Sequence, residues 1–167
     1  MTTIAYTNGF MACDSKVTGG DDFVTRCNKI VRLPHGHLLG LSGDADERDF
    51  LKLMATVRGE KNLPTRDQLK ALKQTIRGLL VLKNGRVFYI ECYFDDMVGD
   101  SDMAYSAQIL ECHEKYAAMG NGFRYAIGAM AAGATAAKAV EIACKYDIYT
   151  GLPVRVVPLK PTEASAT

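Results

Sequence analysis

Neither sign of charge dominates this chain: twenty Lys and Arg stand against nineteen Asp and Glu, for a net charge of +1. That balance removes the electrostatic case for nucleic acid or an anionic membrane as a partner. Long apolar runs are missing as well, and none approaches the ~20 residues that a membrane-spanning helix needs. The start lacks the basic-then-apolar pattern of a secretory signal. Cysteine pairs at metal-binding or redox spacing are absent. Cys13, Cys27, Cys92, Cys112 and Cys144 are odd in number and scattered, with no CxxC among them. They read as reduced thiols of a cytoplasmic protein, mostly in its core. What is there is ordinary for a soluble globular chain: 48% hydrophobic and 23% charged residues over 167 positions. That length suits one domain with a sizeable core, expected over residues 1–160, with a loose tail at 161–167. The expected partner is protein or peptide.

Hydrophobic patterning orders the elements. Thr2 to Thr7 and Phe10 to Asp14 flank Asn8-Gly9, a strong hairpin signal because both turn positions tolerate positive φ. Lys29 to Leu33 and His37 to Leu41 flank Pro34-His35-Gly36 as a second hairpin. Ser42-Gly43-Asp44 is expected to open a helix in which Phe50, Leu53, Met54 and Val57 recur at helical spacing, ending at Gly59. Thr65 and Gln68 have capping-box spacing and start a second helix through Leu69 and Leu72. Strands follow at Leu79 to Leu82 and Arg86 to Tyr93, joined by Asn84-Gly85. Residues 95–106 read as an acidic loop, and Gln108 to Met119 as a single strand. Gly120-Asn121-Gly122 launches a helix through Tyr125, Ile127 and Met130; Gly133 breaks it, and Thr135 caps another that runs to Lys145. Val154 to Leu159 is a last strand. This order fits a layered α+β sandwich with helices outside the sheets.

Position 2 carries the sharpest chemistry. Removal of Met1 would leave Thr2 with a hydroxyl nucleophile and a free α-amine. An α-amine titrates near pH ~8, so at neutral pH part of it is unprotonated and able to take the hydroxyl proton. One residue then supplies nucleophile and base. Thr2-Thr3-Ile4 is followed by Ala12-Cys13-Asp14-Ser15-Lys16-Val17-Thr18-Gly19-Gly20, by Asn28-Lys29-Ile30 and by Ser42-Gly43-Asp44-Ala45-Asp46. Further on come Met119-Gly120-Asn121-Gly122-Phe123 and Tyr146-Asp147-Ile148-Tyr149-Thr150-Gly151. Taken singly, each segment has an ordinary explanation as a turn, a surface lysine or a helix end. Taken in this order over nearly the whole chain, they resemble the proteasome β-subunit family and its bacterial relative, the HslV peptidase, which are threonine-type N-terminal-nucleophile hydrolases.

The resemblance implies a four-layer αββα sandwich and a catalytic set of Thr2, Asp14, Lys29, Gly43, Asn121, Asp147 and Thr150. Thr2 Oγ would attack a peptide carbonyl, and the acyl-enzyme would be hydrolysed by water. Lys29 is implied beside that oxygen, either as an ammonium that stabilises the alkoxide or, if neutral, as a base. Asp14 would hold Lys29, and the Gly43 N–H would face the oxyanion. Leu41 and Ala45 are implied to line the specificity pocket, favouring an apolar or small side chain, with Thr18 and Gly20 also contacting substrate. Two departures stand out. The turn at Gly43 is one residue shorter than the usual form, and Asn121 occupies a position where active relatives place a serine. Asn can donate and accept hydrogen bonds but has no hydroxyl proton to relay.

The family's assemblies imply a homo-oligomeric double ring acting on unfolded proteins or peptides, served by an ATP-dependent unfoldase, with no cofactor and no metal. Two other readings stay open: a catalytically silent ring subunit, and a small-molecule amide hydrolase on the same sandwich. His35-x-His37 could pair two imidazoles but has no evident third metal ligand. Asp95, Asp96, Asp100 and Asp102 lack calcium-loop spacing. The Ala-rich stretch from Ala129 to Ala143 suits close packing, on the sheet or on a neighbouring subunit.

Overall fold

The computed structural model describes residues 2–18, 24–43, 47–94 and 105–161. Strands β1 (Thr3–Thr7) and β2 (Phe10–Cys13) form the first hairpin around Asn8 at φ 50° and Gly9 at φ 79°. The short β3 (Lys16–Thr18) and β4 (Val24–Arg26) pair with each other, an element the hydrophobic pattern does not announce. Next come β5 (Ile30–Arg32), β6 (Leu38–Gly43), helix α1 (Arg48–Ala55) and helix α2 (Arg66–Lys70). The capping box closes as expected: Thr65 Oγ1 accepts from Gln68 N, and Gln68 Oε1 accepts from Thr65 N. Then β7 (Ile76–Val81), β8 (Val87–Phe94), β9 (Tyr105–Cys112) and β10 (Tyr116–Gly120) lead into α3 (Phe123–Ala131), α4 (Ala136–Tyr146) and β11 (Arg155–Pro158).

The architecture mixes helices with antiparallel sheets. One sheet has the order β10-β1-β2-β11 and the other β5-β6-β7-β8-β9. Alternation along the strands sorts their side chains into three apolar clusters. On β1, Ile4 and Tyr6 join Met11, Leu38, Leu79 and Val81, which come from both sheets. Ala5 points the other way, with Ala12 and Ala118, toward Ala126, Met130, Ala139 and Val140 of α3 and α4. The alanines of α4 thus pack on the β10-β1-β2-β11 sheet, where side chains this small let helix and strands approach closely. Leu39, Leu80 and Ile90 of the five-stranded sheet meet Phe50 and Met54 of α1 and Leu69 of α2.

Three boundaries depart from the sequence pattern. Ser42 and Gly43 end β6, paired with Arg77 and Ile76, and do not open a helix. The stretch from Gln108 to Met119 is two strands, because His113 to Lys115 break it and hand the chain from one sheet to the other. Tyr105 and Ser106 belong to β9 and not to the acidic loop, whose remaining part at 95–104 lies outside the described residues, as does the tail at 162–167. Among the described residues no helix is long and apolar enough to cross a membrane.

Candidate active site

Asp14 follows β2 directly and is wholly buried. Its carboxylate collects four donors: Oδ1 takes Thr3 N at 2.8 Å and Lys29 Nζ at 2.8 Å, while Oδ2 takes Lys16 N at 3.1 Å and Gly151 N at 3.2 Å. The Asp14 N–H in turn donates to Thr3 O at 3.1 Å. A buried carboxylate survives only with this degree of satisfaction, since desolvating an unpaired charge costs several kcal/mol. Lys29 is also buried, and its ammonium donates to Lys16 O at 2.6 Å as well. Its main chain is tied to β6, because Leu41 N donates to Lys29 O at 2.9 Å. The pair is therefore fixed by main-chain geometry from both sides.

The start of β1 is gripped equally closely. Thr2 is buried, and its carbonyl accepts the Asn121 N–H at 2.7 Å. Gly120 has φ +90°, and a Cβ there would lie 1.9 Å from Thr2 O. A Cβ on Gly122 would lie 2.5 Å from Thr3 Oγ1 and 3.0 Å from Thr150 Oγ1. Gly120 is thus required by the approach of the Thr2–Thr3 backbone, and Gly122 by the side chains of Thr3, Ala143 and Thr150.

Thr3 connects the two halves of the site. Its hydroxyl accepts the Gly122 N–H at 2.9 Å and lies 2.6 Å from Thr150 Oγ1. Thr150 donates to the Asp147 carboxylate, which also accepts Tyr149 N. The 147–153 segment is laced to the strand end beyond Asp14. Ser15 N reaches Gly151 O at 3.1 Å, Ser15 Oγ reaches Pro153 O at 2.7 Å, and Lys16 Nζ reaches Ile148 O at 2.8 Å. Gly151 also passes close to Lys16, whose Cδ would lie 2.9 Å from an added Cβ.

Hydrogen bonds therefore join Thr2, Asp14, Lys29, Asn121, Asp147 and Thr150 into one neighbourhood, through Thr3 and through the main chain. The Asn121 residue is exposed, and its contact with Thr2 is made by its backbone. Gly43 lies at the exposed end of β6, two residues beyond Leu41; a Cβ there would lie 2.7 Å from Thr75 O. Leu41 is buried in the cluster under α1 and α2. Thr18 ends β3 opposite Val24, and Gly20 and Ala45 lie outside the described residues.

Burial disfavours the thiolate at two of the cysteines. Burial pushes Cys13, the neighbour of Asp14, up to about 11, and burial does the same to Cys144. Among the described residues no group of three or more His, Cys, Asp and Glu side chains could hold a metal ion. His37 is buried with Nδ1 accepting from Lys83 N at 2.9 Å, whereas His35 is exposed.

Thr3 is the residue that sequence reasoning missed. A β-branched residue inside a strand looks like structure, and its hydroxyl partner is 147 positions away. The Gly120-x-Gly122 bracket is the visible signal that other parts of the chain pack close by.

Solved structures of other proteins share this fold at low sequence identity. Solved structures that share it include Thiobacillus denitrificans BPH in complex with epoxomicin, at 22% identity and TM-score 0.62, covering 96% of this chain and 99% of that one. A second structure of Thiobacillus denitrificans BPH matches at 19% identity and TM-score 0.58, over 96% and 99% of the two chains. A Gly-1 mutant of Anbu from Hyphomicrobium sp. strain MC1 matches at 11% identity and TM-score 0.55, over 95% and 81%. No protein-family model matches the sequence, and no curated protein does.

Proposed function

We propose that this chain is a threonine-type peptidase subunit of a self-compartmentalised ring, with Thr2 as the N-terminal nucleophile once Met1 is removed. The observation that carries the proposal is the buried Asp14–Lys29 pair at 2.8 Å, hydrogen-bonded through Asp14 to the N–H of Thr3, the residue next to the nucleophile. A lysine paired with an aspartate supplies fixed positive potential beside the first residues of β1, where an alkoxide would develop. In this mechanism the free α-amine of Thr2 takes the hydroxyl proton and Oγ bonds to the peptide carbonyl carbon. The carbonyl oxygen becomes an oxyanion facing the Gly43 N–H, and the amine proton goes to the leaving nitrogen as the peptide bond breaks. Water then attacks the acyl-enzyme by the same route and restores Thr2. We assign contact with substrate to Thr18, Gly20 and Ala45 on the resemblance alone; Leu41, which the resemblance also implies, is instead packed in the core under α1 and α2.

The three apolar clusters support reading the fold as a four-layer αββα stack: α1 and α2, the five-stranded sheet, the four-stranded sheet, then α3 and α4. A double ring of identical subunits, a cytoplasmic setting, unfolded polypeptide as substrate and an ATP-dependent unfoldase as partner follow by analogy with the fold. The test is hydrolysis of fluorogenic peptides by wild type, Thr2→Ala and Lys29→Ala, with particle mass measured alongside. Turnover that disappears in both variants while the particle persists is the expected result. Turnover that survives Thr2→Ala would overturn the assignment.

One observation favours the silent-subunit reading. Asn121 brings its backbone, and no hydroxyl, to Thr2. A wild-type ring without turnover and without reaction at Thr2 would select that reading.

A further inference from the structure

Among the hydroxyl groups near Thr2, that of Thr3 has the most completely determined surroundings. The residue is fully buried, and every polar group it owns is engaged. Its N–H donates to Asp14 Oδ1 at 2.8 Å, and its carbonyl accepts Asp14 N–H at 3.1 Å. Its hydroxyl accepts the Gly122 N–H at 2.9 Å and meets Thr150 Oγ1 at 2.6 Å. Thr150 spends its own proton on the Asp147 carboxylate, so the direction of this chain is set: Thr3 donates to Thr150, and Thr150 donates to Asp147. Thr3 is thus the junction at which the Asp14–Lys29 half of the site and the Asp147–Thr150 half are joined.

We propose that Thr3 is a positioning residue for the N-terminal nucleophile, its hydroxyl locking the backbone from which Thr2 projects through the Gly122–Thr3–Thr150–Asp147 hydrogen-bond chain. The inference rests on the threonine-peptidase reading and deepens it.

The physical reason is one of orientation. Thr2 is the first residue of the mature chain in that reading, so among the described residues Thr3 and the Asn121–Thr2 main-chain bond hold it from behind. A Thr3 lacking its hydroxyl leaves the Gly122 N–H buried without an acceptor and frees Thr150 from one side. Both effects loosen the direction of Thr2 without touching the substrate. Displacement of a reacting group by about 1 Å can cost on the order of 100-fold in rate. The loss therefore falls on kcat and spares KM.

The experiment starts with wild type, measuring peptide turnover and adduct formation with a peptide epoxyketone. Turnover of Thr3→Ser, Thr3→Val, Thr150→Val and the double valine variant is then measured well below each melting temperature. Expected are wild-type-like kcat for Thr3→Ser and kcat reduced by about 10- to 100-fold for Thr3→Val with KM unchanged. The double variant should be no slower than the slower single one, because both substitutions break the same chain. Thr150→Val reads that chain from its other end should Thr3→Val fail to fold. An unreactive wild type would sink the peptidase reading and this role with it. A reactive wild type whose folded Thr3→Val or Thr150→Val keeps full kcat, or whose valine effects simply add, would overturn the positioning role alone.

Discussion

The Lys29 ammonium lies 2.8 Å from Asp14 Oδ1, with the two side chains only 4% and 0% exposed. A pair this dry is held in place by the three backbone N–H groups of Thr3, Lys16 and Gly151 that also point at Asp14. Removing the acid strands a buried cation. Asp14→Ala is expected to lose about 3–5 kcal/mol of stability. Lys29→Met leaves the carboxylate its three backbone donors and is expected to lose less, while still abolishing turnover. Urea denaturation curves of the two variants check the order.

Gly120 and Gly133 share a backbone conformation and differ in surroundings. Both have positive φ, near +90°, but a Cβ at Gly133 meets nothing within 4 Å and a Cβ at Gly120 meets the Thr2 carbonyl. Gly133→Ala should cost only the strain of its backbone angle, about 1–3 kcal/mol, with turnover retained. Gly120→Ala should cost more and remove turnover from whatever protein folds. Thermal melts with parallel assays separate the two.

His37 gives the stability an acid limb. Burial lowers its pKa, and its Nδ1 accepts from Lys83 N at 2.9 Å. The folded state therefore binds a proton less readily than the unfolded chain, whose histidine titrates near ~6.5. Stability should be complete above that pH and decline as pH falls below it toward the folded value. Glu111, held low by its bonds to Arg86, adds its own decline only in the lower range where carboxylates protonate. Denaturant midpoints between pH 5 and 8 should slope for wild type and flatten in His37→Gln.

The thiols should divide by access. Cys27 is exposed, whereas Cys13 and Cys92 are buried, with burial pushing Cys13 up to about 11. Under native conditions at pH 8, iodoacetamide is expected to label Cys27 and leave Cys13 and Cys92 untouched until the protein is unfolded. Peptide mapping by mass spectrometry reads this directly.

Local chemistry was legible in the sequence where a few adjacent residues decide the outcome. Asn8-Gly9 makes its turn because both positions accept positive φ, and Thr65 and Gln68 cap their helix because the reciprocal bonds span three residues. Tertiary partners decided the rest. Ser42 and Gly43 have turn character, yet pairing with Arg77 and Ile76 keeps them in β6. From Gln108 to Met119, strand-forming residues flank the polar His113-Glu114-Lys115, but nothing local says that the two halves serve different sheets. The candidate site follows the same rule. Asp14, Lys29, Asp147 and Thr150 stood out by their segments' resemblance to a known family, and hydrogen bonds gather them. Thr3 did not stand out, since only folding brings Gly122 and Thr150 to its hydroxyl.

The measurement that tests the central claim most directly is the intact mass of the purified protein before and after exposure to a peptide epoxyketone, which needs both the hydroxyl and the free amine of one N-terminal threonine. The expected result is a starting mass without Met1 and one adduct per chain, lost in Thr2→Ala. A chain that keeps Met1 and takes up no adduct would contradict it.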